Sequence, residues 1–245
     1  MSRWVFQAGR KLGQAAIPLA RQAKRLWNKA KEGASDPQGS ERELGAFLAR
    51  QLKSALPPAQ NPALQPRLEA VLRRLAGALG DKNREFAIEA VSFQTPRAIA
   101  LPGGFLFLGE SLAASCGGRD DALAFLIAHE MAHAVRRDAV RKLMSQTAVR
   151  AAGAALRSGP LAAWVRGQGL SLLETAHSKE CEWAADAFAA DLVRRAGWGL
   201  DGALAWLETI DAAGPKSGVY LASHPPPRER LERLKRLAPG TAPSP

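Results

Sequence analysis

An apolar segment with three ionisable side chains in its middle constrains this sequence more than any other feature. Helical spacing extends over residues 120–144, and a His-Glu-Met-Ala-His motif occupies positions 129 to 133. Residues four apart on a helix lie one turn above each other, so His129 and His133 point the same way and can bind one ion. Glu130 is offset by one residue, where a general base can act on water beside the ion. A carboxylate buried among apolar residues needs a counter-charge, and a cation supplies it.

A catalytic zinc site has three protein ligands and one open position, so a third ligand is expected on another element. Glu182, on a helix predicted over residues 178–196, is the best candidate. Asp186 lies four residues further on the same face and is predicted to accept the free ring N–H of His129. Glu180 competes with Glu182, but no acidic residue follows it at a spacing of four. The predicted site binds one Zn²⁺ per chain through His129, His133 and Glu182.

The remaining sequence predicts helices around one small sheet. Alternating or apolar segments over 86–93, 99–101 and 105–108 predict three short strands, paired antiparallel. Ser40 and Glu43 form a capping box before a first helix. Further helices are predicted over 65–79, 148–172, 201–212 and after Pro227. The fold class is therefore α+β and predominantly α-helical, with one small antiparallel sheet.

The net charge of +11 is concentrated at the N-terminus. Residues 1–31 carry eight basic and no acidic side chains, which leaves +3 on the other 214 residues. A near-neutral body argues against nucleic acid as a partner. We divide the chain into a basic segment over 1–31, a linker over 32–39, a folded domain over 40–238 and a disordered tail over 239–245.

The basic segment has the pattern of an amphipathic helix. Apolar residues recur at spacings of three, four and seven, and Trp4, Phe6 and Trp27 are residue types that settle at lipid interfaces. Arg10 and Lys11 interrupt the apolar stretch, so we expect no signal peptide. No uncharged apolar stretch is long enough for a transmembrane helix. We predict attachment to an anionic membrane surface and a cytoplasmic, peripheral location. The alternatives are a helix packed on the body and an organelle transit peptide.

Four separate segments resemble peptidase family M48, the zinc metallopeptidases that include HtpX and the CAAX prenyl proteases. The first is Leu101-Pro-Gly-Gly104, with Arg97 where the family has Asn. The second is the His-Glu-x-x-His motif. The third is the segment from Ser178 to Asp186, with Lys179 in place of Arg. The fourth is Ser223-His-Pro225 with Arg230 six residues after His224. The resemblance covers about residues 65–237.

This resemblance implies a zincin core of the gluzincin type and a metalloendopeptidase. It makes Glu182 the third zinc ligand, and it places His224 at the metal water, at the oxyanion or on the ion in a resting state, with Arg230 nearby. Without a transmembrane hairpin, the chain is more similar to the soluble or peripheral members. The implied function is cleavage of extended or unfolded proteins in quality control at or near a membrane. The alternative is a latent peptidase or a non-catalytic, zinc-stabilised, chaperone-like module.

The resemblance also implies a substrate-binding strand. The strand over 103–108 is similar to the edge to which an extended peptide adds as a further strand. Main-chain pairing would then bind the polypeptide substrate with little side-chain selectivity. The residues implied in substrate binding are Gly103, Gly104, Phe105, Leu106 and Arg230.

Liposome sedimentation tests the role of the basic segment. We expect full-length protein to sediment with anionic vesicles and a variant lacking residues 1–39 to remain in the supernatant, because the basic and apolar faces are lost together. Equal binding by the two proteins would contradict the prediction.

Overall fold

The computed structural model describes residues 37–138, 178–214 and 224–237. Within those ranges the chain forms seven helices, α1 Pro37–Ala55, α2 Leu64–Leu79, α3 Glu110–Ser115, α4 Asp120–Val135, α5 Lys179–Arg195, α6 Asp201–Ala213 and α7 Pro227–Leu237. Three strands, β1 Ala87–Val91, β2 Ala98–Leu101 and β3 Phe105–Gly109, form one sheet. This architecture confirms the predicted α+β, mainly helical class. The basic segment, the helix predicted over 148–172, Ser223 and the tail lie outside the described residues.

Helix α4 is the centre of the fold. Every residue from Ala122 to Ala134 is buried, and the helix packs against α2, α5, α6 and β2. A helix that is apolar on all faces is stable only when neighbours enclose it, and these four elements do so. The prediction that this helix continues to Met144 is wrong, because α4 ends at Val135 and Arg137 turns the chain with a φ of 59°.

The sheet is mixed, with the strand order β1-β3-β2. Strands β2 and β3 are antiparallel, whereas β1 and β3 are parallel, so the prediction of a wholly antiparallel sheet is wrong. The connection over 92–97 passes the end of β3 and places β2 on its far side, so β1 and β2 do not pair with each other. Gly109 permits this crossing, because a Cβ there would lie 3.0 Å from the carbonyl oxygen of Arg97 and from Phe93.

Helix α1 packs backbone on backbone against the 3₁₀ turn Pro102–Gly104 that joins β2 to β3. A Cβ on Gly45 would lie 1.8 Å from the carbonyl oxygen of Pro102, and one on Gly103 would lie 2.5 Å from the Cα of Arg42. Arg42 Nη1 also donates to the carbonyl oxygen of Gly103 at 2.9 Å. The turn between the two strands is therefore fixed by α1.

The predicted capping box at Ser40 is wrong. Helix α1 begins at Pro37, a residue type favoured in the first turn of a helix because its φ is preset and its missing N–H is not needed there. Ser40 therefore lies inside the helix. Its hydroxyl is buried without a hydrogen-bond partner among the described residues.

None of the helices in the described ranges combines the length and apolar character needed to cross a bilayer.

Two glycine substitutions test the close packing of α1. We expect Gly45→Ala to lower the free energy of unfolding by about 2–3 kcal/mol, because the methyl group meets backbone that cannot move independently. Gly77→Ala in α2 is the matched control, since nothing lies within 4 Å of its added Cβ. This control should raise stability by roughly 0.5–1 kcal/mol. Similar effects of both substitutions in denaturant unfolding would contradict the described contact.

Candidate metal centre

Four side chains from three parts of the chain meet at one point. His129 and His133 come from α4, Glu182 from α5, and His224 from the segment before α7. One ligand atom from each lies within 4.8 Å of the others. Glu182 Oε2 is 3.3 Å from His129 Nε2 and 3.5 Å from His224 Nε2, and the Nε2 atoms of His129 and His133 are 3.2 Å apart. The residues that the sequence predicted as ligands are therefore brought together.

The burial of two carboxylates shows that this cluster fits a metal ion. Both oxygens of Glu182 and one oxygen of Glu130 are buried without a hydrogen-bond partner in the described part of the chain. Glu182 is completely buried. The oxygens of Glu182 face imidazole Nε2 atoms at 3.3, 3.5 and 3.6 Å, and a cation among these atoms would compensate both buried carboxylates. Two imidazole nitrogens and a carboxylate are the donor set of a catalytic zinc site.

Asp186 contacts the imidazole of His129 at Nδ1, the nitrogen that faces away from the cluster. Its Oδ1 lies 2.8 Å from His129 Nδ1, the contact that the four-residue spacing from Glu182 predicts. The bond directs Nε2 of His129 at the cluster. Burial raises the pKa of Asp186, but the charge of Arg230 and the hydrogen bond with His129 outweigh it and hold the pKa far below its usual range.

Arg230 lies elsewhere than the sequence predicted. Its Nε and Nη2 donate to the two oxygens of Asp186 at 2.9 and 2.7 Å, and the residue is 1 % exposed. The predicted role in substrate binding does not fit this position, because the guanidinium is enclosed behind the carboxylate of Asp186. The sequence places Arg230 near His224, but it does not indicate which way the side chain turns.

Asp138 holds the imidazole of His133, and sequence reasoning missed it. Asp138 Oδ2 lies 2.9 Å from His133 Nδ1. On a continuous helix a residue five positions on would point about 140° away from His133, so the predicted helix over 120–144 excluded the contact. The left-handed conformation of Arg137 creates it. No feature of the sequence marks that conformation at an arginine.

The protonation of the cluster is set by burial and by mutual contacts. Burial lowers the pKa of His129, but its contacts with Asp186 and Glu182 outweigh burial and raise the pKa to about 9. Burial raises the pKa of Glu130 above its usual range, which suits a general base. Burial also lowers the pKa of His224 well below its usual value, so this imidazole is neutral.

The predicted substrate strand is not a free edge. Strand β3 is the central strand and pairs with β1 on one side and β2 on the other, so the prediction of an open edge over 103–108 is wrong. Leu106 is buried and Phe105 pairs with both neighbouring strands. Gly103 and Gly104 pack against α1 and the chain at Glu85.

The open edge belongs to β2 instead. Gly109 N donates to Arg97 O at 2.9 Å, so these residues form a hydrogen-bonded antiparallel pair. Such pairs alternate with non-bonded ones, hence Ala98 and Ala100 direct their N–H and C=O groups away from β3. No hydrogen bond from the described residues reaches these groups, and β2 packs against α4.

The opposite edge of the sheet is covered. The side-chain amide of Gln65 donates to Ile88 O at 2.9 Å and accepts from Ala90 N at 2.7 Å. Ala59 N donates to the carbonyl oxygen of Ala90 at 3.4 Å. Within the described ranges, the sheet is therefore open beside the helix that carries the His-Glu-x-x-His motif.

Comparisons with known proteins agree with this site. The model of Peptidase family M48 matches residues 62–238. Mitochondrial metalloendopeptidase OMA1 of Schizosaccharomyces pombe is 30% identical over 177 residues, which cover 69% of this chain and 51% of that protein. The chain thus spans about half the length of this curated relative.

Double substitution tests the position of Arg230. We expect Arg230→Met to lower the free energy of unfolding of the metal-free protein by about 3 kcal/mol, because Asp186 is left buried without its cation. Adding Asp186→Asn should recover part of the loss, since the uncompensated charge is then removed. Denaturant unfolding of the single and double variants measures the coupling. Unchanged stability in Arg230→Met would contradict the buried pair.

Proposed function

The chain belongs to peptidase family M48, and on that premise we propose that it is a zinc-dependent metalloendopeptidase. The observation that carries the proposal is the pair of buried carboxylates, Glu130 and Glu182, next to two imidazoles in a helix buried on all sides. The position of Glu182 suits a metal ligand, and the position of Glu130 suits a general base. A site that served stability alone would need only the ligands.

The catalytic step is hydrolysis of a peptide bond. His129, His133 and Glu182 would hold a zinc ion, which would supply the Lewis acidity needed to acidify water and to polarise the scissile carbonyl. Glu130 accepts the proton of the attacking water and passes it to the leaving amine as the C–N bond breaks. Burial raises the pKa of Glu130, so its carboxylate binds a proton more strongly than an exposed carboxylate does.

His224 has a separate part in this mechanism. Its imidazole is neutral and lies at the cluster, with Nε2 3.5 Å from Glu182. A neutral imidazole can donate one N–H to the oxyanion of the tetrahedral intermediate. We assign this role to His224 and a supporting role to Asp186, which orients His129.

We propose that an extended polypeptide adds to the open edge of β2. Ala98 and Ala100 offer the outward N–H and C=O groups that a peptide strand pairs with. These groups recognise main chain, which every unfolded protein offers, so side-chain selectivity is low. The proposal therefore extends to unfolded proteins as substrates and to a role in protein quality control.

The N-terminal segment supports a proposal about location. Residues 1–31 combine a basic face with interface-seeking aromatic residues, and we propose that they attach the peptidase to an anionic membrane surface. The name of the relative in Schizosaccharomyces pombe states that it is mitochondrial, which favours the transit-peptide alternative. Recovery of a shortened chain from mitochondria would decide for that alternative.

A latent form of the enzyme is the second candidate. His224 lies close enough to the other three side chains to be a fourth ligand. In that arrangement the position needed for water is occupied, and cleavage stays low until His224 leaves. Activity that rises on His224→Ala would favour latency, whereas a loss of activity would favour the oxyanion role.

Substitution of Glu130 separates catalysis from metal binding. We expect Glu130→Gln to retain one zinc per chain and to lose casein cleavage by about 10²–10⁴-fold, because a general base contributes that much. His133→Ala should lose the zinc, since one of three ligands is removed. Elemental analysis and a casein assay measure the two properties.

The matched control compares two glutamates of α5. Glu182→Gln should release zinc, whereas Glu180→Gln should change neither zinc content nor cleavage, because Glu180 is exposed. Casein cleavage by Glu130→Gln would remove the proposed base, and stoichiometric zinc in His133→Ala would remove the proposed ligand set.

A further inference from the structure

The two imidazoles of α4 each face a carboxylate through Nδ1. Asp186 faces His129 at 2.8 Å and Asp138 faces His133 at 2.9 Å. We propose that Asp138 is a positioning residue of the metal centre, and that an ion pair between Arg137 and Glu41 of α1 holds it in place. This inference rests on the proposed metal-binding function and concerns how the ligand His133 is oriented.

The geometry at His133 fits this role. Asp138 is 3 % exposed, so its carboxylate acts in a region of low dielectric. A carboxylate on Nδ1 fixes the proton there and leaves Nε2 as the ligand atom. That Nε2 atom lies 3.2 Å from His129 Nε2 and 3.6 Å from Glu182 Oε1. The contact therefore aims the lone pair of His133 at the centre of the cluster.

The backbone between His133 and Asp138 needs external support. Arg137 has a φ of 59°, a left-handed conformation that is unfavourable for a residue with a Cβ. Without it the chain would continue as a helix, and Asp138 would point away from His133. The conformation that places Asp138 thus has an energetic cost, which other contacts must offset.

Glu41 supplies that support. The Nε of Arg137 donates to Glu41 Oε1, and Glu41 is 3 % exposed although it is charged. A buried carboxylate binds its cation partner strongly, because separating the pair leaves the charge unpaired. Arg136 also lies near the turn, with Nε 3.6 Å from Asp138 Oδ2. The turn is therefore fixed to α1 through the side chain of Arg137.

Helix α1 consequently contacts two turns, one of which carries a residue of the metal centre. Glu41 fixes the turn that carries Asp138, and the next residue, Arg42, donates to Gly103 O in the turn after β2. The ion pair at Glu41 is the contact of α1 that acts on a metal ligand. Weakening it should loosen His133 without removing any ligand.

Zinc affinity of purified, full-length protein tests the proposal. Competition with a chromophoric chelator gives the zinc dissociation constant of the wild type, Asp138→Asn and Asp138→Ala. We expect Asp138→Ala to weaken zinc binding by about 10–100-fold, the effect of removing a partner of a ligand histidine. Asp138→Asn keeps a neutral acceptor oxygen, so it should lose less zinc affinity than Asp138→Ala. Asp191→Ala, which removes an exposed carboxylate on α5, should leave the constant unchanged.

A second pair of variants tests the ion pair. Glu41→Gln should weaken zinc binding by less than Asp138→Ala, and Glu43→Gln, an exposed position on the same helix, should not change it. The d–d spectrum of the cobalt-substituted protein provides a readout independent of activity. It should shift in Asp138→Asn and Glu41→Gln, because the orientation of His133 changes, and remain unchanged in the two controls.

The possible outcomes separate the proposed function from the inference about Asp138. A wild type that binds no zinc would overturn the proposed function itself. A wild type that binds zinc, with Asp138 variants of equal affinity and unchanged cobalt spectra, would overturn only the inference. The unfolding midpoint of each metal-free variant is measured in parallel. If Asp138→Asn lowers that midpoint but leaves affinity and spectrum unchanged, Asp138 has a purely structural role and the inference is also overturned.

Discussion

The burial of three ionisable side chains of α4 by the surrounding elements is the constraint on which the rest of the structure depends. His129, Glu130 and His133 occupy a helix whose residues from Ala122 to Ala134 are all buried. Ionisable groups in such a position are tolerated only if every one of them has a partner. The surrounding elements supply partners for the two imidazoles, and the proposed cation would compensate Glu130.

The partners come from distant parts of the sequence. Helix α5 supplies Glu182 and Asp186, α7 supplies Arg230, and the turn after α4 supplies Asp138. Helix α1 adds Glu41, which contacts Arg137 in that turn. Asp186 and Asp138 therefore each perform two tasks, since each stabilises a buried imidazole and also fixes the angle at which that imidazole faces the centre. The site is therefore complete only when α5, α7 and the turn after α4 are all in place.

The parts of the site that follow from helical periodicity could be predicted from the sequence. The spacing of four placed His129 with His133, and Glu182 with Asp186, on common faces, and the structure has both arrangements. Contacts that depend on unusual backbone geometry could not be predicted. Asp138 reaches His133 only because Arg137 is left-handed, and a sequence pattern does not report φ.

The prediction of the strand pairing was wrong for a related reason. The pattern of β1 fits a parallel or an antiparallel neighbour equally well, and only the short connection over 92–97 decides. Because β3 lies between the other two strands, the free edge belongs to β2 and not to β3. The proposed substrate site therefore lies at β2.

The position of that edge has a consequence for how substrates would be selected. If, as we propose, peptides pair with Ala98 and Ala100, recognition uses groups that every extended chain presents, so the sequence of the substrate contributes little. The body of the protein is close to neutral, because most of the net charge of +11 lies in residues 1–31, and long-range electrostatic steering by the body is weak. Selection then depends on whether a protein is unfolded and whether it is near the enzyme. If residues 1–31 attach the protein to a surface, as we propose, that attachment meets the second condition, because it restricts which unfolded proteins the enzyme meets.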